Sequence, residues 1–243
     1  MIVIRVFPRC TSMTPTDNMV FVGWPPLERP EADEVHVSST FSWDNRHAYE
    51  LALAWRQYYP VVHLGGPAFG TPNNGFVPGM YVKHGVIFTS RGCNNRCGFC
   101  LVPEREGRLR IIEKFAEGYI IQDNNFLQCP SAHREQVYTM LRQQKRAAVF
   151  SGGLQASLIT DRIADELRTI RIREVFLACD SIVAIKPLRQ ATKRLAWLGR
   201  NKLRCYVLIA YGGETVQEAE ARLVEVWEAG CLPFAQLYQP SDH

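Results

Sequence analysis

Beyond about residue 85 the chain alternates short apolar runs with segments of helical period, and this limits the fold more than any other feature. Residues 86–89, 119–122, 148–150, 174–178, 205–210 and 234–238 read as strands. Between them lie helical patterns. Ser131 is expected to cap a helix bearing Val137, Met140, Leu141 and Gln144. Thr160 opens a face of Ile163, Ala164, Leu167 and Ile170, and residues 188–198 form a further helix. Thr215 and Glu218 make a capping box ahead of Val216, Ala219, Leu223, Val226 and Trp227. Strands that alternate with helices imply a parallel sheet joined by right-handed crossovers. Eight such units close a barrel, and six leave it open. The expected fold is therefore α/β, a partial (βα)6 TIM-like barrel over residues 81–243. Functional groups in such folds gather where the strands end. Those positions hold Asp123-Asn124-Asn125, Ser151-Gly152-Gly153, Cys179-Asp180 and Tyr211-Gly212-Gly213.

Residues 1–80 read as a smaller α/β unit. Residues 34–40 alternate as a strand should, Asp44 or Asn45 is placed to cap a helix, and Ala48, Leu51, Ala52, Trp55 and Tyr58 share one helical face. A second strand at 61–64 completes a βαβ unit with parallel strands. His36 and His63 fall on these strands and are read as core or edge histidines rather than ligands. The glycines after the second strand are followed by loop chemistry at 71–75, so a plain turn is expected there instead of a phosphate cradle. A Pro, Gly and Asn-rich stretch over 70–79 is the expected linker.

The net charge of +4 is too small to argue for nucleic acid by itself. No run approaches the roughly 18 apolar residues that a membrane span requires. The first residues are strand-like and lack the pattern of a signal peptide. The eight cysteines do not form a disulfide framework. A reducing, cytoplasmic setting is the expectation.

Three cysteines stand close together, as Cys93-x3-Cys97-x2-Cys100. Three thiolates on one loop can hold three corners of a cubane iron–sulfur cluster, which four cysteines normally complete. The fourth corner is then open, and an open metal position is where a small molecule binds. Zinc is the alternative, but it wants a second short-range Cys or His pair. The next candidates, Cys129 and His133, are far along the chain.

This cysteine spacing, with Phe99 directly before the last thiol, resembles the signature of the radical S-adenosylmethionine superfamily. The resemblance extends over roughly 84–240 and is similar to short stand-alone or phage-type members. It implies a 4Fe-4S cluster held by Cys93, Cys97 and Cys100, with S-adenosylmethionine on the open iron. It also implies an electron donor such as a flavodoxin or ferredoxin, and a 5′-deoxyadenosyl radical that abstracts hydrogen from a substrate the sequence does not identify. Asp123, Asn124 and Asn125 stand where the family often carries Gly-Gly-Glu, which binds the methionine ammonium. Ser151 and Gly152 would let backbone approach the cofactor, and Asp180 stands where polar groups meet the ribose. Ile209, in Val207-x-Ile209-x-Tyr211-x-x-Glu214, matches the Ile of the family's Gly-x-Ile-x-Gly-x-x-Glu. The resemblance names no catalytic residue beyond the cofactors. The N-terminal unit resembles the cobalamin module of some members, but Asp44-Asn45-Arg46-His47 breaks the ligand spacing and cobalamin is set aside.

Two other readings stay open. Lys186, Arg189, Lys193, Arg194, Arg200, Lys202 and Arg204 form a basic stretch without an acid, either the footprint of a nucleic acid or nucleotide that a radical S-adenosylmethionine enzyme would modify or a solvated helix face. A non-catalytic iron–sulfur or zinc protein is the second. Cys10, Cys129, Cys179, Cys205 and Cys231 form no second grouping and read as buried free thiols.

Overall fold

The computed structural model describes residues 1–70 and 76–239. The chain divides into two compact units, Met1–Val86 and Ile87–Gln239. The expected loop at 71–75, and with it part of the expected linker, lies outside the described residues.

In the first unit, β1 (Val3–Phe7), β2 (Val20–Val22), β3 (Glu34–Ser38) and β4 (Val62–Gly65) form a parallel sheet in the order β2-β1-β3-β4. Helix α1 (Asn45–Trp55) joins β3 to β4. Successive residues of a strand face opposite ways. Ile4, Val6, Val35, Val37 and Val62 therefore enter one core with Ala48, Leu51 and Trp55 of the helix. Asp44 precedes α1 but makes no capping bond. Its carboxylate instead takes two bonds from the Arg9 guanidinium, at 2.6 and 2.5 Å. β1 and β2 extend the sheet by two strands beyond the pair in the βαβ reading.

The second unit is built on six strands. They are β5 (Val86–Ile87), whose Val86 lies at the unit boundary, β8 (Ile120–Ile121), β9 (Ala148–Phe150), β10 (Ile172–Ala178), β11 (Leu203–Ile209) and β12 (Leu232–Leu237). A small antiparallel pair, β6 (Ser90–Arg91) with β7 (Arg110–Ile111), follows β5. The sheet runs β12-β11-β10-β9-β8-β5, with neighbours in chain order and parallel pairing from β8 to β12. It is an open α/β sheet, and no closed barrel forms among the described residues.

A one-turn helix, α2 (Val102–Arg105), follows the cysteines. The crossovers are α3 (Ser131–Gln143), α4 (Asp161–Arg168), α5 (Ile185–Arg194) and α6 (Val216–Glu228). Two caps follow the sequence: Thr160 Oγ1 accepts from Ile163 N–H, and Thr215 and Glu218 close a capping box. Ser131 does not cap α3; it is the first helical residue, after Pro130. The predicted helix over 188–198 starts earlier and ends as α5 at Arg194, followed by a separate 3-10 turn, Ala196–Leu198.

Val137, Leu141, Ile163, Leu167 and Leu188 pack from the helices onto Ile121, Phe150, Val175, Leu177 and Val207 of the sheet. At roughly 1.5–3 kcal/mol for each fully buried aliphatic side chain, this packing holds the sheet far more firmly than the caps do.

Candidate functional site

The cysteine loop leaves the sheet edge through β6, and its root is fixed by Asp123. That carboxylate is buried and accepts from Thr89 N–H (2.6 Å), Thr89 Oγ1–H (2.5 Å) and Ser90 Oγ–H (2.8 Å). Burial raises its pKa, while these bonds pull it back. Asp123 is thus spent on anchoring the loop and presents no free carboxylate. Asn124 Oδ1 accepts from Gly92 N–H at 3.1 Å, and Glu106 accepts from both that N–H and Arg91. Gly92 has φ +78°, and a Cβ there would overlap the Arg108 carbonyl, so only glycine fits the bend.

Past this bend, four amide side chains surround Cys93. Gln155 Oε1 collects Nδ2 of Asn95 (3.0 Å), Nδ2 of Asn125 (2.9 Å) and Nε2 of Gln128 (3.2 Å). Gln128 Oε1 accepts from Asn94 N–H at 2.8 Å. Asn95 N–H points at Cys93 Sγ at 3.4 Å. Asn125 is buried, and its Oδ1 has no partner. A buried acceptor left unpaired is costly, so it marks a place where a donor from a bound molecule would be welcome.

The far end of the loop rests on the end of β11. The Phe99 and Tyr211 rings meet edge to face at 5.4 Å, and Tyr211 meets Tyr238 at 4.9 Å. Gly98 lies against the Tyr211 hydroxyl, which leaves no comfortable room for a Cβ. Tyr211 sits in a turn held from below. Ala210, at φ +64°, donates its N–H to Glu214 at 3.0 Å. Glu214 in turn is gripped by buried Arg222, which also donates to the carbonyls of Cys179 (2.9 Å) and Leu208 (2.5 Å).

All three loop thiols are free. Burial, then Cys100, Cys93 and Asp180, holds Cys97 above its usual range. Cys100 is raised by burial, eased by the Val102 backbone, and raised further by Cys93, Asp180 and Glu106. The sulfurs and the Asp180 carboxylate therefore share one field in which like charges conflict. A bound cationic centre removes that conflict by stabilising thiolate. Three thiols on one loop are a donor set that could hold three corners of a cubane cluster or three positions of a single zinc.

The remaining expected contacts are placed as follows. Asp180 Oδ1 accepts from Leu208 N–H at 3.0 Å, which links two strand ends, and its pKa is raised mainly by burial. Ser151 donates to Gln122 Oε1 at 2.6 Å. A Cβ at Gly152 would overlap the Asp123 carbonyl, so this glycine serves strand-end packing. Ile209 is half-buried and packs on the core. Asn95 lies within the cysteine motif, whereas Gln128 and Gln155 belong to no motif and only folding brings them to the loop.

Cys129, Cys179, Cys205 and Cys231 are buried free thiols, but Cys10 is exposed. Burial lifts Cys129 and Cys179 to about 11, Cys231 to about 12, and Cys205 upward too. Much of the basic stretch is engaged. Arg189 pairs with Glu225, Arg194 with Asp161 and Arg204 with Glu174, and Arg200 lies over the Trp227 ring. Such pairing suits a solvated helix face more than a phosphate track. Among the described residues no helix is long and apolar enough to cross a membrane.

No family model matches the chain. Over 85 residues it is 32% identical to the ribosomal protein uS12 methylthiotransferase RimO of Rhodopseudomonas palustris strain CGA009, across 33% of this chain and 18% of that protein. Proteins of the same name from strains BisB5 and HaA2 match at 31% identity with the same coverage. The chain thus spans less than a fifth of the length of the curated relatives it matches.

Proposed function

We propose that this chain is a radical S-adenosylmethionine enzyme, with Cys93, Cys97 and Cys100 holding a 4Fe-4S cluster at the strand ends of an open partial barrel. The carrying observation is the loop itself: three free thiols in Cys-x3-Cys-x2-Cys order, braced at both ends. The partial likeness to methylthiotransferases points the same way. The in-order sheet favours the barrel-like curvature. When bound, such a cluster supplies an electron that cleaves the sulfonium and yields a hydrogen-abstracting 5′-deoxyadenosyl radical.

The chain's own residues orient and shield. Asp123 and Asn124 fix the loop root, while Phe99 and Tyr211 fix its far end. Asn125 Oδ1 offers an acceptor to the methionine ammonium. Asp180 has its Oδ1 bonded to Leu208, and we assign its other oxygen to the ribose hydroxyls.

Anaerobic reconstitution tests it. The expected result is three to four iron per chain, in keeping with a cubane, and 5′-deoxyadenosine release on reduction with S-adenosylmethionine. Cys97→Ser abolishes both. Zinc in place of iron, or a cluster that leaves S-adenosylmethionine intact, overturns the proposal.

A further inference from the structure

The N-terminal sheet has a second face that the function above does not use. β3 and β4 are paired so that His36 lies opposite His63. Val35, Val37 and Val62 turn into the core, so Glu34, His36 and His63 share the other face. Their ligand atoms all lie within 4.8 Å of one another. Glu34 Oε2 is 2.9 Å from His36 Nε2 and 3.6 Å from His63 Nε2. Two donors each about 2.1 Å from a tetrahedral ion stand about 3.4 Å apart, and the two separations bracket that spacing.

Support behind the donors is present as well. The Tyr81 hydroxyl lies 2.6 Å from His36 Nδ1. A phenol hydroxyl can accept from Nδ1–H as well as donate to Nδ1, so it can serve as the outer partner of a ligating imidazole. Without metal, His36 Nε2 is hydrogen-bonded to Glu34 Oε2 at 2.9 Å; a metal would replace the shared proton, with Nδ1–H then donating to Tyr81, the arrangement by which ligating histidines are oriented. Arg5 stands opposite His36 on the same face, but its charge is matched by Asp17. Arg5 also donates to the Gly79 carbonyl at 3.2 Å. The His63 side chain is 59% exposed, so the side of the group away from Tyr81 is open to water.

We propose that Glu34, His36 and His63 form a binding site for a divalent transition metal of the zinc class, with one coordination position left to solvent. Two imidazoles and one carboxylate are the donor set of open zinc sites, in which the fourth ligand is water or a substrate. The site is separate in residues from the cysteine loop, so either reading stands if the other fails.

The test uses the full chain with Cys93, Cys97 and Cys100 all changed to Ser, so that the loop cannot take zinc. Zinc(II) is added, excess is removed, and metal is counted per chain. The expected result is one zinc, lost on His63→Ala and on Glu34→Gln, with circular dichroism unchanged. Tyr81→Phe, which removes only the positioning contact, weakens zinc about 10–100-fold in chelator competition. In the wild-type chain His63→Ala lowers the zinc count by one, which covers the case in which the serine variant misfolds. Cobalt(II) in place of zinc gives a spectrum without thiolate charge-transfer bands in the serine background. Zinc uptake that is absent, indifferent to His63→Ala, or accompanied by thiolate bands overturns the proposal.

Discussion

The cysteine loop of the C-terminal unit and the histidine face of the N-terminal unit gather ligand atoms in opposite ways. The loop brings three donors from one short stretch, and their proximity comes from the sequence itself. Their orientation does not. It depends on Asp123 and Asn124 at the root, on the Gln155 amide hub beside Cys93, and on Tyr211 at the far end. The strand pair does the reverse. Glu34 and His63 are distant in sequence, yet the register of β3 and β4 sets their spacing, with Tyr81 as a further brace. A loop buys proximity and needs bracing, whereas paired strands are braced already and need only the right register.

If the loop depends on bracing, removing a distant brace unsettles it, and the most severe case is Arg222→Met. Arg222 holds Glu214, Glu214 holds the Ala210 turn, and that turn sets Tyr211 against Phe99. The substitution leaves a half-buried carboxylate and two carbonyls without their donor. Breaking such a pair costs about 3–5 kcal/mol. The urea midpoint falls accordingly, and iron retention falls with it. Full iron retention in a destabilised chain would mean that the loop is self-supporting, and the contrast drawn above would fail.

Gln155→Leu acts closer to the sulfurs and costs less. Three amide donors lose their shared acceptor, and Asn95 and Asn125 are freed beside Cys93. Outer partners of metal ligands are worth about 10–100-fold in affinity, and that is the expected loss of iron in chelator competition. Gln155→Glu keeps the acceptor oxygen and is expected to restore most of it. Equal losses in the two variants would show that the hub is packing and not a hydrogen-bonded brace.

The sequence carried much of what depended on local spacing, although the caps expected at Asp44 or Asn45 and at Ser131 do not form. The caps at Thr160 and Thr215, the order of the six strands and the cysteine motif are all short-range patterns. It did not carry what depended on two distant segments meeting. β2 is three residues long, with Gly23 and Pro25 just after it, too short to show a period. The β6–β7 pair offers two residues on each side. Asp123 reads as a polar strand end in either role, and only the fold turns its carboxylate onto Thr89 and Ser90. The missing Cβ of Gly152 also admits the Asp123 carbonyl, a contact that no local pattern shows. His36 and His63 read as unrelated until the register sets them side by side.

The smallest effect concerns the same turn that Arg222 supports. Ala210 is the single non-glycine residue at positive φ among the described residues, at +64°. That region costs an L-residue about 1–2 kcal/mol, and the N–H bond to Glu214 helps hold it there. Ala210→Gly removes the steric cost and adds back some unfolded-chain entropy, so a net gain of about 1 kcal/mol is expected in urea unfolding. The position is exposed, so no packing is lost. If bracing of the loop comes from the Arg222–Glu214 grip, the glycine variant gains stability and keeps its iron. If the strained backbone itself aims Tyr211 at Phe99, the same variant becomes more stable and yet loses iron more readily. That result would move the brace from the ion pair to the turn.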